Sequence, residues 1–230
     1  MSRHGDALLR LRSHQERNAL AGERHDAMRG RFNALAGRGS AEDLVAVADG
    51  LFITPPAIAA RMAGLLDLQE GDRLLEPSAG TGHLIDAAQA ACPGLKITAA
   101  EQCPRLCRHL FERYPGVSLR TGDVLGMTFP APFDAVLMNP PFRRGTDVQH
   151  ILHARSLLRP GGRLVSLCYN GVAQQRRLQP IVTTWERLPP GSFRTAGTEA
   201  DVILLILIAG DPTEPSHQGP PRTATAKVVA

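Results

Sequence analysis

The sequence has no apolar run long enough to cross a bilayer; Val202 to Ala209 is short and reads as a buried strand. No apolar signal segment opens it. Together these absences predict a cytoplasmic protein that does not engage membranes. Cysteine is scarce. Cys92, Cys103, Cys107 and Cys168 fall in helix-like or strand-like stretches, which reads as buried thiols of a reduced compartment and not as a disulfide framework. Cys103 and Cys107 are four apart and would share a helix face. With no His or Cys pair at ligand spacing elsewhere, no metal site is expected. There is no Gly-Lys-Ser/Thr, which excludes a P-loop. Lysine is nearly missing: all but two of the 26 basic residues are Arg.

What is present is basic and of ordinary size for one domain. The 230 residues are 43% hydrophobic and carry a net charge of +4, with a pI near 9.2. Arginine in that excess suits contact with phosphates. Residues 1–46 look helical and Arg-rich, with Met28, Phe32 and Leu35 at helical spacing. They read either as solvated helices on the domain edge or as a basic arm for nucleic acid. Ser40 to Asp43 resembles a capping box. Residues 47–210 make up the main domain, and 211–230 form a Pro-, Thr- and Ser-containing tail expected to be disordered.

Within the main domain, strands and helices alternate. Pro55 sits near the first turn of a helix running to Leu66. Strands are predicted at 73–76, 95–100, 117–120, 133–138, 164–169, 183–188 and 202–208, and intervening helices at 83–91, 104–113, 147–158 and 174–182. Pro160-Gly161-Gly162 reads as the stop after the helix at 147–158. This spacing predicts an α/β fold, a Rossmann-like doubly wound sheet of seven strands, mostly parallel. The loop joining the last two strands is too short for a helical crossover, so those two should pair antiparallel.

Four features at strand ends carry chemistry. Glu76-Pro77-Ser78-Ala79-Gly80-Thr81-Gly82 is a small-residue loop that backbone-close ligands need. Glu101 ends the second strand, where a carboxylate can accept from both ribose hydroxyls. Asp123 follows the third, where it can accept from an adenine amino group. Three acids at successive strand ends point to a ligand with an adenosine part. The fourth feature, Asn139-Pro140-Pro141-Phe142, follows the apolar run Ala135 to Met138. Its prolines lack N–H donors and leave carbonyls free, Asn139 adds an amide acceptor, and Phe142 adds a flat face. Such a tip suits a planar-conjugated –NH2 group.

Taken in order, these residues resemble a class I S-adenosylmethionine-dependent methyltransferase, over roughly residues 50 to 210. Within that fold the chain resembles enzymes that methylate the N6 amino group of adenine in DNA, most closely small stand-alone forms of phage and mobile-element type. The resemblance implies S-adenosylmethionine as cofactor. It assigns Phe52 and Thr54 of Phe-Ile-Thr-Pro to the methionine end of the cofactor and residues 76–82 to the cofactor loop. Glu101 and Gln102 fall at the ribose, and Asp123 and Val124 at the adenine. Asn139 to Phe142 becomes the catalytic motif, with Asn139 also at the cofactor. Asp147 to His150 and Leu158 to Val165 resemble the stretch downstream in that subgroup. Leu188 to Phe193 resembles a later loop whose aromatic ring packs on an extruded base.

By that likeness the Asn139 side-chain oxygen and the Pro140 carbonyl accept the two amino protons and aim the lone pair at the methyl group. Phe142 either stacks on the base or fills the loop; Phe193 either stacks or belongs to the hairpin core. His150 reads as a helix-surface or tethering residue and not as a general base. No target recognition domain follows residue 210, so sequence choice is expected from the arm, the 142–147 loop or a partner protein, or to be low. DNA is the expected substrate. Adenine in RNA, a glutamine side chain of a protein, and a regulatory or anti-restriction module that binds cofactor without turnover are the alternatives.

Overall fold

A computed structural model describes residues 52–210. The expected Arg-rich extension, its capping box and the tail lie outside the described residues. The elements are α1 (Pro56–Gly64), β1 (Arg73–Glu76), α2 (His83–Ala91), β2 (Lys96–Glu101), α3 (Pro104–Arg113), β3 (Ser118–Thr121), β4 (Phe133–Met138), α4 (Thr146–Ser156), β5 (Leu158–Tyr169), α5 (Val172–Arg177), β6 (Thr184–Arg187) and β7 (Val202–Ile208). They form one seven-stranded sheet of order β3-β2-β1-β4-β5-β7-β6. Strands β1 to β5 pair parallel. Only β7 runs against its neighbours β5 and β6. The sheet is the doubly wound one that the alternation of elements implies.

Two cores cover the two faces, because successive side chains of a strand point to opposite sides. Leu74, Ala99, Ala135, Leu137, Val165 and Leu167 face α1 and α2, meeting Met62, Leu84 and Ile85. Leu75, Val136, Met138, Leu164 and Cys168 face the other way, onto Val148 and Ile151 of α4 and onto Leu178. Strands buried on both faces need continuous apolar runs, and that is how β4 and β5 read. Truncating a fully buried side chain such as Leu137 costs about 2–5 kcal/mol.

The helix over 147–158 is shorter than expected, and β5 starts earlier. Pro160-Gly161-Gly162 does not stop the helix but lies inside β5, which begins at Leu158. Phe133 pairs with Leu158 and Ala135 with Arg163, so the extra residues bulge from β5. Gly162 makes the bulge possible: a Cβ there would meet Arg159 O at 2.9 Å and Asp134 O at 3.0 Å. Asp134 closes the bulge with Arg159 Nε (2.5 Å) and accepts from Arg73 N–H (2.8 Å). The predicted 174–182 helix is one short α-helix, α5, followed by a 3-10 turn at Gln179–Ile181. Cys107 and Cys168 are buried, but Cys92 and Cys103 are only half-buried, and all four thiols are free.

Candidate active site

The carboxyl ends of β1, β2, β3 and β4 meet in one open cleft. Its empty space, solvent at the mouth included, is about 880 Å³. The β1 loop forms its floor through Pro77, Ser78, Ala79, Gly80 and Thr81. The loop is pinned to β2: Ala79 N–H donates to Ala100 O (3.0 Å) and Gly80 N–H to Glu101 Oε2 (2.8 Å). Glu101 Oε1 accepts from Cys103 N–H (2.8 Å). Glu101 therefore stands fixed in the wall, beside Gln102. Asp123 and Val124 line the far side, and Asp123 Oδ1 caps a 3-10 turn through Leu125 N–H (3.0 Å).

Asn139 and Pro140 sit at the tip of β4, with Phe52 and Thr54 opposite. Asn139 Nδ2 donates to Phe52 O (2.9 Å) and to Thr54 Oγ1 (3.1 Å). Both amide protons are thus engaged, which fixes the side chain with its nitrogen toward the Phe52–Thr54 segment and leaves Oδ1 to accept. Ser78 Oγ donates to the Asn139 carbonyl (3.3 Å), tying the tip to the β1 loop. Thr146 Oγ1 lies 2.7 Å from the Pro141 carbonyl.

Four expected site residues stand elsewhere. Glu76 is behind the loop, 1% exposed, outside the cleft lining. Its Oε1 accepts from Ser78 N–H (3.2 Å), while Oε2 is buried with no partner among the described residues. Desolvation pushes its carboxyl up to about 8. Gly82 also lies outside the lining. Its φ is +89°, and a Cβ there would meet the Tyr114 ring at 2.4 Å, so packing and backbone conformation require the glycine. Phe142 is half-buried and packs beside Phe52, a cleft residue, with ring centroids 6.3 Å and planes 22° apart. Phe193 is 1% exposed and packs in the core with Leu188, Ala196 and Val202. It offers no face to a base; of the two readings of Phe193, the core residue is the one found.

The structure also supplies residues that the sequence did not single out, His83 and Tyr114. His83 lines the cleft, and so does His150, which the sequence read as a helix-surface or tethering residue. His83 Nδ1 is 2.8 Å from Thr81 Oγ1. Burial holds both imidazoles below their usual range, opposed by Asp86 at His83 and by Asp123 at His150. The Tyr114 hydroxyl reaches Gly82 O (3.0 Å) and Asp86 Oδ1 (2.8 Å), bracing the β1 loop from behind. Among the described residues, no group of three His, Cys, Asp or Glu is placed to hold a metal ion, and no helix is long and apolar enough to cross a membrane.

Comparison with known proteins agrees with this geometry. The family model of the methyltransferase small domain matches residues 62–189. A curated relative named protein-L-isoaspartate O-methyltransferase, from Methylorubrum extorquens, is 36% identical over 138 residues, 58% of this chain and 58% of the relative. The chain thus matches well under two thirds of that relative's length. Among solved structures, the methyltransferase subunit of a type I restriction-modification system from Streptococcus thermophilus superposes with a TM-score of 0.63 at 19% identity, covering 75% of this chain and 48% of that one. The 23S rRNA methyltransferase ErmE gives 0.54 at 18% identity, with 72% of each chain covered. These two share the fold. The chain belongs to the methyltransferase small-domain family of class I enzymes, which use S-adenosylmethionine as methyl donor.

Proposed function

From that membership we propose that this chain transfers a methyl group from S-adenosylmethionine to the exocyclic amino group of adenine in DNA. The observation that carries the reading is the fixed amide of Asn139. With Nδ2 bound to Phe52 O and Thr54 Oγ1, the tip presents acceptors, Asn139 Oδ1 and Pro140 O. An –NH2 group has two protons to give them. A carboxylate has none and would need donors there. The cleft's chemistry suits the cofactor: Glu101 would take the ribose hydroxyls, Asp123 the adenine amino group, and the loop from Pro77 to Thr81 with Phe52 and Thr54 the methionine end. When bound, S-adenosylmethionine supplies a methyl group on a positively charged sulfur, which is intrinsically electrophilic.

The protein's part is orientation. Accepting both N–H protons draws the amino lone pair out of conjugation with the ring and fixes its direction, which is where rate is gained when the electrophile is already activated. Net charge +4 favours a polyanionic substrate over a peptide. A target recognition partner and the Arg-rich residues 1–46 would supply sequence choice.

The second reading is methylation of a carboxylate oxygen in a damaged protein, favoured by the name of the curated relatives at up to 37% identity. One experiment separates the two. The chain is incubated with methyl-labelled S-adenosylmethionine and, separately, duplex DNA, single-stranded DNA, ribosomal RNA and an isoaspartyl peptide, and labelled nucleosides are identified after digestion. N6-methyldeoxyadenosine is expected, and label in the peptide alone would reject the proposal. Asn139→Ala should lower kcat by about 10²–10³-fold while cofactor binding persists.

A further inference from the structure

Three described features have no part in the chemistry above: a buried acid, an exposed ring and a strained arginine. They belong to one piece of structure. Asp147 is 0% exposed. Its Oδ1 accepts from Val148 N–H and Gln174 Nε2, both at 2.9 Å. Its Oδ2 accepts from Tyr169 N–H and Gln174 Nε2, both at 3.0 Å. The acid therefore joins the start of α4, which follows the Asn139 tip, to the last residue of β5. Asn170 is fixed in turn, its N–H on Asp201 O (2.8 Å) and its Nδ2 on Asp201 Oδ2 (2.9 Å).

On this rigid mount the Tyr169 ring is left 44% exposed. Alternation along β5 puts it on the side of Val165 and Leu167, the face against which Phe142 also packs. Met138 pairs with Ser166, so strand spacing and rise place the Cα of Tyr169 about 8 Å from that of Asn139. Gly171 leaves room for the ring, since a Cβ there would meet Gln174 Oε1 at 2.6 Å and the ring at 3.1 Å. Arg144, in the loop between tip and α4, is exposed and left-handed at φ +51°. That conformation is strained for a residue with a Cβ, and such outliers gather where function needs them.

We propose that the edge formed by Arg144 and Tyr169 docks the nucleic-acid strand: Tyr169 stacks on the base presented to Asn139, and the Arg144 guanidinium takes a flanking phosphate. This rests on the nucleic-acid reading of the site. It also gives a stacking ring in place of the buried Phe193. Charge complementarity favours a polynucleotide, and Asp201, an acid of this edge, is neutralised by Arg187 at 2.8 and 2.9 Å.

The test is binding of a fluorescein-labelled, adenine-containing DNA single strand over a salt series, with methylation of the same strand and calorimetric cofactor binding alongside. Tyr169→Ala and Tyr169→Leu should each weaken strand binding by about 5- to 150-fold. Tyr169→Phe should stay within about twofold, since the ring and not the hydroxyl stacks. Arg144→Gly suits the left-handed backbone and should lower the salt slope by about 0.7. Cofactor affinity should be unchanged in all four. A wild type that methylates DNA while Tyr169→Leu binds it equally well overturns this inference and leaves the functional reading standing. A wild type that neither binds nor methylates nucleic acid overturns both.

Discussion

Replacing Thr54 by valine isolates the orientation of Asn139. The two side chains have nearly the same shape, and Thr54 is 4% exposed, so the packing around it is kept. What disappears is the hydroxyl acceptor 3.1 Å from Asn139 Nδ2. The bond to Phe52 O at 2.9 Å remains, so the amide keeps its facing but holds it by one bond in place of two. A hydrogen bond of this kind is worth about 1 kcal/mol net. If that preference is spent holding Oδ1 toward the substrate, kcat at saturating cofactor falls about fivefold. Thr54→Ser restores the acceptor and should restore the rate. The assay is methyl transfer at saturating cofactor with a calorimetric titration of cofactor in parallel. Combining Thr54→Val with Asn139→Ala sharpens it, because once the amide is gone the valine should cost nothing further. Equal kcat for Thr54→Val and wild type, or full additivity in the double variant, would refute the claim that Thr54 orients the tip.

Two further expectations concern the β1 loop. Gly82→Ala combines a left-handed φ with a Cβ 2.4 Å from Tyr114, so it should lose at least about 2 kcal/mol, seen as a Tm lower by about 4–8 °C in a calorimetric scan. Glu76 holds its proton up to about pH 8 in the folded state, against 4.5 for the free group. The folded form thus binds a proton that the unfolded form has released, and stability falls as pH rises from 4.5 to 8, by up to about 5 kcal/mol, then levels off. Glu76→Gln should flatten that slope in urea unfolding at pH 5 and 8.5; an unchanged slope would show that another group titrates.

The central strands were legible because burial on both faces forces apolar runs such as Ala135 to Met138. The residues that line the cleft were legible for a related reason: parallel strands deliver their carboxyl ends to one edge, and that edge collects Gly80, Glu101, Asp123 and Asn139. The start of β5 was not, because Pro160-Gly161-Gly162 has the composition of a helix stop and serves as a bulge. Phe193 sits in a Pro-Pro-Gly-Ser context that reads as an exposed loop, yet the 3-10 turn Arg194–Ala196 folds its ring into the core. Tyr114 meets Gly82 from 32 positions away, and Asp147 meets Tyr169 from 22. Contacts at such separations leave no periodic trace in one sequence.

The strand order has a consequence for how the chain is made. β7, Val-Ile-Leu-Leu-Ile-Leu-Ile, lies between β5 and β6, so both neighbours leave the ribosome before it does. Until it arrives, the outer edge of β5 stays open and β6 has no partner strand; once it arrives unpaired, it is an uncharged seven-residue segment of the kind that self-associates into aggregates. Native insertion pairs both strands at once. Variants that slow that insertion should therefore be lost to inclusion bodies before any loss of catalytic competence can be measured.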